Sequence, residues 1–293
     1  MTADSLATGT GARYEGRFSI GRLGRWIAGD VLGRWVISIM LISTFVLVVL
    51  PLVTTKSPTA TDSNAVLAGP SLNHWFGTDQ LGRDVAVRIL YGARLSLLVA
   101  VVSAVAALVC GAALGAVSVV GPKWLGETIM RLTDVGLAFP GVLLAIVLAA
   151  AIGPSLTTTV IVLAIIYTPS MTRVVRAALF AEYGEDYVTA ARLIGTKRVR
   201  LVGYHIGSNA AGPILVYFTV VMADAIVAEA ALSFIGAGIK PPAPSWGNII
   251  HDGQGVIDTG AWWVTVMPGL FIVATVLTIN RFSEAIGRRL RSR

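Results

Sequence analysis

The chain has 293 residues, of which 55% are hydrophobic and only 13% charged, with a mean hydropathy of +0.76. That composition excludes a soluble globular domain and indicates a polytopic membrane protein whose core is helix–helix contact within lipid. The formal charge of +7 does not argue for nucleic acid, because a basic excess in a membrane protein collects on its cytoplasmic loops.

Residues 1–34 are polar, basic and rich in Gly, Arg, Ser and Thr, and are read as a loosely ordered cytoplasmic tail. The apolar run that follows is expected to be a retained signal anchor rather than a cleaved leader. A helix needs about 20 apolar residues to cross a bilayer. Residues 35–55 and 95–120 each supply such a run without a charge. Residues 135–172 are also charge-free but too long for one helix, and Gly153-Pro154-Ser155 divides them into a hairpin of two spans, 135–153 and 156–178. Spans five and six are read at 212–235 and 263–281, with Pro268 inside the last. The runs are too long and too rich in Ala, Leu and Gly for strands, so the fold is predicted to be all-α. Residues 35–293 then form a single transmembrane domain of six helices.

Orientation follows from charge. With the N-terminus inside, 18 of the 23 Lys and Arg fall on the inner side and 5 on the outer. That bias places both termini in the cytoplasm of a multi-pass membrane protein. Spans two and three carry small residues every four positions, Ser103-Ala107-Gly111-Gly115 and Gly141-Ala145-Ala149-Gly153. Such ladders let helix backbones approach closely in lipid, within one subunit or between two. Cys110 lies in an apolar run and is read as a small packing residue, and the three His show no metal-ligand spacing.

Between spans four and five lies a basic, soluble-looking island, 183–207. Asp186 is expected to N-cap a short helix over 187–194, with Gly195 as the residue just past its end. Thr196 is expected to cap a second helix from Lys197. Val188, Ala191 and Leu193 form the apolar positions of the first helix, and Val199, Val202 and Ile206 those of the second. An amphipathic pair of this kind fits the groove of a partner or the surface of anionic lipid, and spacing alone leaves both open.

Ionisable residues within spans mark function, because they are costly in lipid. Asp224 and Glu229 fall in span five, about 140° apart around a helix, so they are not expected to share one site. Asp224 sits near mid-span and is the better candidate for lining a pathway, where it would meet a peptide amino group. Glu229 is expected to be structural or gating. Pro140 and Pro268 are gate candidates, because a proline frees a carbonyl and kinks a helix. Trp246, Trp262 and Trp263 are read as an aromatic belt at the outer interface.

The island resembles a known motif. Thr189-Ala190-Ala191, three residues, then Gly195 is similar to the EAA loop of ABC importer permeases. Thr189 replaces the first Glu, and His205-Ile206-Gly207-Ser208-Asn209 replaces the Pro-bearing ending. The segment Phe76-Gly77-Thr78-Asp79-Gln80-Leu81-Gly82-Arg83-Asp84 resembles the first external loop of the C-type permeases of dipeptide, oligopeptide and nickel importers. Arg131-Leu132-Thr133-Asp134 with Phe139-Pro140 resembles the start of their third span. Ala228-Glu229-Ala230-Ala231-Leu232-Ser233-Phe234, followed by Pro244-Ser245-Trp246-Gly247, resembles their fifth span and the loop after it. The blocks cover roughly 70–270; the family's terminal Asp-Pro is missing.

The resemblance implies a type I importer permease (MetI-like) fold of six helices, with coupling helices at 186–206. It implies that Asp186, Thr189, Ala190, Ala191, Gly195, Lys197 and Arg198 dock an ATPase. It implies a sibling B-type permease, one or two ABC ATPase subunits and an extracytoplasmic binding protein that delivers a peptide-class substrate. ATP and Mg would be held by those partners. This chain has no Gly-x4-Gly-Lys phosphate cradle, so it is expected to hydrolyse nothing and to carry no cofactor or metal of its own. Phe76, Gly77, Thr78, Asp79, Gly82, Arg83 and Asp84 form the external motif; Asp79, Arg83 and Asp84 are read as a loop staple or as a contact for the binding protein. Nickel and haem-like cargo remain open under the same resemblance. A proton-coupled carrier using Asp224 or Glu229 is the rival from another class; related halves would mark it, and none is evident.

Overall fold

A computed structural model describes residues 56–291. The predicted tail, 1–34, and the first predicted span, 35–55, lie outside the described residues. Those described are helical, with no strand beyond an isolated bridge between Thr78 and Asp84. The helices are α1 (Val85–Val120), α2 (Lys123–Ala138), α3 (Gly141–Ile152), α4 (Leu156–Glu182), α5 (Asp186–Leu193), α6 (Gly207–Phe234), α7 (Trp246–Gln254) and α8 (Trp263–Arg291).

Four helical stretches are long and apolar enough to cross a membrane: α1, α4, Leu201–Phe234 and Trp263–Arg288. A fifth crossing is available if α2 and α3 count as one broken span. That pair corrects the predicted third span. In place of one helix over 135–153, two helices meet at an angle of 89°. The cause is Pro140, which disfavours helical geometry in the residue before it; Phe139 is extended, at φ −87° and ψ 137°. The hairpin turn after α3 forms as read: Gly153 takes φ +98°, and the Ser155 hydroxyl accepts from the Thr158 N–H at 3.0 Å to cap α4.

α1 begins ten residues before the predicted span two, because Arg88 and Arg94 interrupt the charge-free run but not the helix. Its 36 residues span about 54 Å, well beyond a hydrocarbon core of about 30 Å. One end of the bundle therefore carries a built-up layer of the 56–84 loop, the start of α1, and α7. This is the loop end; α5 and its flanking turns mark the island end.

The centre is α1, α4 and α6, packed pairwise, with α8 against α6 and α7, and α2 and α3 along α4. Both small-residue ladders turn inward. A Cβ on Gly111 would lie 2.6 Å from Met171 Cγ, and one on Gly115 2.7 Å from Val175 Cγ1, both on α4. Ala145 and Ala149 bury in a cluster with Val162, Leu163 and Leu232. The ladders thus serve packing within the subunit. Cys110, by contrast, is exposed on the outer face of α1.

α7 is seated just as tightly. A Cβ on Gly247 would lie 2.3 Å from the Ala230 carbonyl oxygen and 2.7 Å from Ser233 Cβ. Backbone on one side leaves no cheap relaxation, so Gly247→Ala is expected to destabilise the subunit by about 1–3 kcal/mol. The measurement is apparent melting in detergent by fluorescence-detected gel filtration; a variant that melts with the parent would show that α7 has room to move.

Candidate functional site

At the island end, α5 is capped by the Glu185 backbone with no side-chain bond, and Asp186 is its first residue rather than its N-cap. The carboxylate of Asp186 there complements the positive end of the helix dipole, and Arg192 in the last turn complements the negative end. The C-terminus closes as a Schellman turn: the Gly195 N–H donates to Arg192 O (2.9 Å) and the Thr196 N–H to Ala191 O (3.1 Å). Gly195 takes φ +80°, a conformation that glycine adopts without strain.

The second island helix is not a separate element. The chain re-enters helix at Arg198 and runs through a π-helical turn, Leu201–Ile206, straight into α6. No proline interrupts 197–212, so nothing turns the chain where the family's ending would. The island is therefore one short helix, α5, laid against the extended root of α6.

Burial divides the predicted apolar residues in two. Val188 and Ala191 of α5 pack with Leu201, Val202 and Ile206 and with Val175 and Leu179 of α4. Leu193 and Ile194 are 84% exposed, and Val199 70%. Asp186, Thr189, Ala190, Gly195 and Lys197 also face outward, whereas Ala191 is an anchor. The Tyr187 hydroxyl donates to Glu182 Oε2 at 2.8 Å, tying α5 to the end of α4. Burial first of all, and then Glu182, push this phenol up to about 12, so it stays a neutral donor. The Arg192 guanidinium stacks 4.4 Å from the Tyr183 ring centre.

At the loop end the external motif folds inward. Asp79 is fully buried. Its Oδ1 accepts from the Leu81 and Arg83 N–H groups at 2.8 and 3.0 Å. Its Oδ2 accepts from Arg83 Nε at 2.6 Å and from Arg88 Nη1. The same two arginines donate to Asp252 Oδ2 on α7, at 3.0 and 2.8 Å. Two guanidiniums and two carboxylates thus clamp the loop, the start of α1 and α7 together. Asp84 does not join them; it caps α1 through the Ala86 and Val87 N–H groups and faces His74 Nδ1 at 3.1 Å. Gly77 and Gly82 take φ near +70°, and a Cβ on Gly82 would lie 2.0 Å from the Asp62 carbonyl oxygen. Thr78 is buried, and its carbonyl accepts from Trp263 Nε1 at 3.1 Å. Phe76 meets Phe271 of α8 edge-on at 5.9 Å. The motif residues form the loop's interior; among the large apolar residues that the loop exposes are Leu72, Trp75 and Leu81.

Arg88 and Asp252 were not singled out by the sequence. Arg88 carried a weak signal, one of two arginines at the root of an apolar helix. Asp252 carried none, since its partners lie more than 160 residues away. The aromatic belt also needs correction. Trp246 is fully buried and its Nε1–H donates to Ile89 O at 3.1 Å; of the three tryptophans only Trp262 is exposed.

Within the spans, Asp224 and Glu229 separate as expected. Glu229 is fully buried where α1, α6 and the start of α7 meet. Its Oε1 accepts from Ser233 Oγ at 2.7 Å. The Ser96 and Ser245 hydroxyls face the same carboxyl, yet Oε2 makes no well-formed bond. Glu229→Gln is expected to keep a folded subunit, its amide oxygen still accepting from Ser233. Glu229→Ala, which strands those hydroxyls, is expected to cost about 1–3 kcal/mol in apparent melting; equal losses in both variants would place the carboxylate charge, not the bonds, at the centre of its role. Asp224 is exposed and makes no hydrogen bond or ion pair among the described residues. Pro140 stands at the 89° break; Pro268 lies inside an uninterrupted α8, as Pro169 and Pro213 lie inside α4 and α6.

Residues 107–292 match the family model described as the binding-protein-dependent transport system inner membrane component. The chain belongs to this family. The permease is 38% identical over 253 residues to a dipeptide transport system permease protein DppC of Alkalihalophilus pseudofirmus, covering 86% of this chain and 83% of that one. It is 41% identical over 220 residues to a di/tripeptide transport system permease protein DppC of Pseudomonas aeruginosa, covering 75% and 72%. A putative peptide transport system permease protein of Brucella suis is 39% identical over 248 residues, covering 85% and 83%. The permease is thus a multi-pass membrane component of an ABC importer, and ATP hydrolysis in such systems belongs to separate ATPase subunits.

Proposed function

We propose that the permease forms half of the translocation pathway of an ATP-driven peptide importer, the other half being a sibling B-type permease. The island end would face the cytoplasm and the loop end the binding protein, as the distribution of Lys and Arg supports. The observation that carries the reading is mechanical. α5 is fixed by its Schellman turn and buried anchors, presents Leu193 and Ile194 outward, and packs on the root of the helix that bears Asp224. A force applied to α5 by an ATPase holding ATP and Mg is thereby delivered to the pathway helix, through Asp186, Thr189, Ala190, Gly195, Lys197 and Arg198 as the docking face. Alternating access follows: closure of the ATPases rocks the spans, with the break at Pro140 and the proline in α8, Pro268, as the gate candidates.

At the other end the clamped loop offers Leu72, Trp75 and Leu81 to the binding protein, on a base that the ion cluster holds rigid. Peptide cargo is supported by the names of the relatives. The test is purification in mild detergent with mass spectrometry of what accompanies the chain, then uptake of labelled dipeptide by proteoliposomes. A second permease, ATPase chains and ATP-dependent uptake are expected. Recovery of the chain alone, with uptake driven by a proton gradient, would overturn the reading.

A further inference from the structure

Asp224, at mid-depth of the bundle, is a carboxylate without a hydrogen-bond or ion-pair partner among the described residues. It lies ten residues in from Phe234 along α6, about 15 Å. Tyr167 lies eleven residues in from Leu156 along α4, about 17 Å from the same end. The charge of Asp224 acts on the Tyr167 hydroxyl, and Tyr217 borders the same hydroxyl. Tyr217 and Asp224 are seven residues apart on α6, and so share one face. Tyr167 itself packs against all three core clusters, so its ring is held in place.

The described spans supply no Lys or Arg counter-charge at this depth. There is no Lys or Arg at 95–122, 132–172, 201–239 or 241–280, which covers the described spans at their centres. An ionisable group in a span faces a cavity or a partner, since lipid penalises it. The cation that pairs with Asp224 therefore comes from outside these spans. An acid with two tyrosine hydroxyls in its neighbourhood matches one cation in particular, a primary ammonium: the carboxylate takes a charge-assisted hydrogen bond, and phenol oxygens can accept from the remaining N–H groups.

We propose that Asp224, with Tyr167 and Tyr217, is a binding subsite for a primary ammonium and takes the free α-amino end of the cargo in transit. This rests on the peptide-importer reading above. It requires the pathway to read the end of the peptide that every peptide shares, leaving side chains unread.

The experiment uses the complete transporter, purified in nanodiscs. Asp224 is labelled with a membrane-permeant carbodiimide and followed by mass spectrometry of its peptide, with millimolar Ala-Ala or N-acetyl-Ala-Ala present. Ala-Ala is expected to slow labelling several-fold and the acetylated dipeptide to leave it unchanged. In proteoliposomes, Asp224→Asn is expected to lower Ala-Ala uptake by about tenfold, the equivalent of one charge-assisted bond. Equal protection by both dipeptides, or by neither, overturns the proposal. So does an Asp224 that is unreactive in the assembled complex with or without dipeptide, because a cation of the sibling would then hold it. Failure of the importer reading registers separately, as ATPase chains missing from the same preparation.

Discussion

Gly195→Pro is expected to abolish ATP-driven uptake while leaving the permease inserted and assembled. Three features of the Schellman turn forbid proline there. Gly195 sits at φ +80°, whereas the proline ring fixes φ near −65°. The Gly195 N–H that donates to Arg192 O would be lost. Ile194, at φ −82° and ψ 9°, would be driven toward extended geometry by a following proline. The end of α5 would unwind, and Leu193 and Ile194 would leave the docking face proposed for the ATPase. Gly195→Ala separates geometry from bulk. A Cβ at this position meets nothing within 4 Å, so alanine costs only the left-handed conformation, about 1–2 kcal/mol. Uptake by the alanine variant is expected to fall only partly. The comparison is uptake against ATP hydrolysis in the same proteoliposomes. Normal uptake by the proline variant would remove α5 from the coupling path.

What could be read from the chain, and what could not, divides along a physical line. Hydropathy located the apolar cores of the described spans but neither the break in the third nor the start of α1, and the glycine at 195 was legible because this helix end takes φ > 0, which glycine meets freely. The break at Phe139-Pro140 was visible as a proline, but its angle depends on what α2 and α3 pack against, and α4 decides that. The start of α1 was misplaced because a charge-free run measures contact with lipid. Arg88 is excluded from such a run and yet is buried, since its charge is met by Asp79 and Asp252. Trp246 went wrong for the same reason: an amphipathic ring reads as interfacial until the Ile89 carbonyl is found beneath it. The small-residue ladders left subunit and interface open, and Met171 and Val175 closed the question. Of the candidate site, the island's position and the separation of Asp224 from Glu229 were legible, both being properties of local helix geometry. The clamp was legible only at Asp79 and Arg83, which lie four residues apart. Its other half needed tertiary pairing.

That clamp yields the largest expected loss of stability. Asp79→Ala leaves Arg83 and Arg88 buried against a single carboxylate, Asp252, whose side chain is 19% exposed. Removing one member of a buried ion network strands its partners, and costs of about 3–5 kcal/mol are usual. The loss is expected as a large drop in apparent melting temperature and in delivery by the binding protein, because Leu72, Trp75 and Leu81 lose their base. Asp84→Ala is the informative contrast. Its neighbours Lys56 and His74 are more exposed, and the loss is chiefly of a helix cap, about 1 kcal/mol. Salt separates the two further. Burial shields the Asp79–Arg88 pair from counterions, whereas the Lys56–Asp84 pair, at 3.6 Å and half open to solvent, is screened. Raising ionic strength from about 0.1 to 1 M is therefore expected to leave the parent-to-Asp79→Ala gap unchanged. Pairing Asp79→Asn with Arg88→Met should recover part of the loss, since both charges leave together. If the double variant is instead worse by the sum of the singles, the two residues act independently, and the four charges are not one unit.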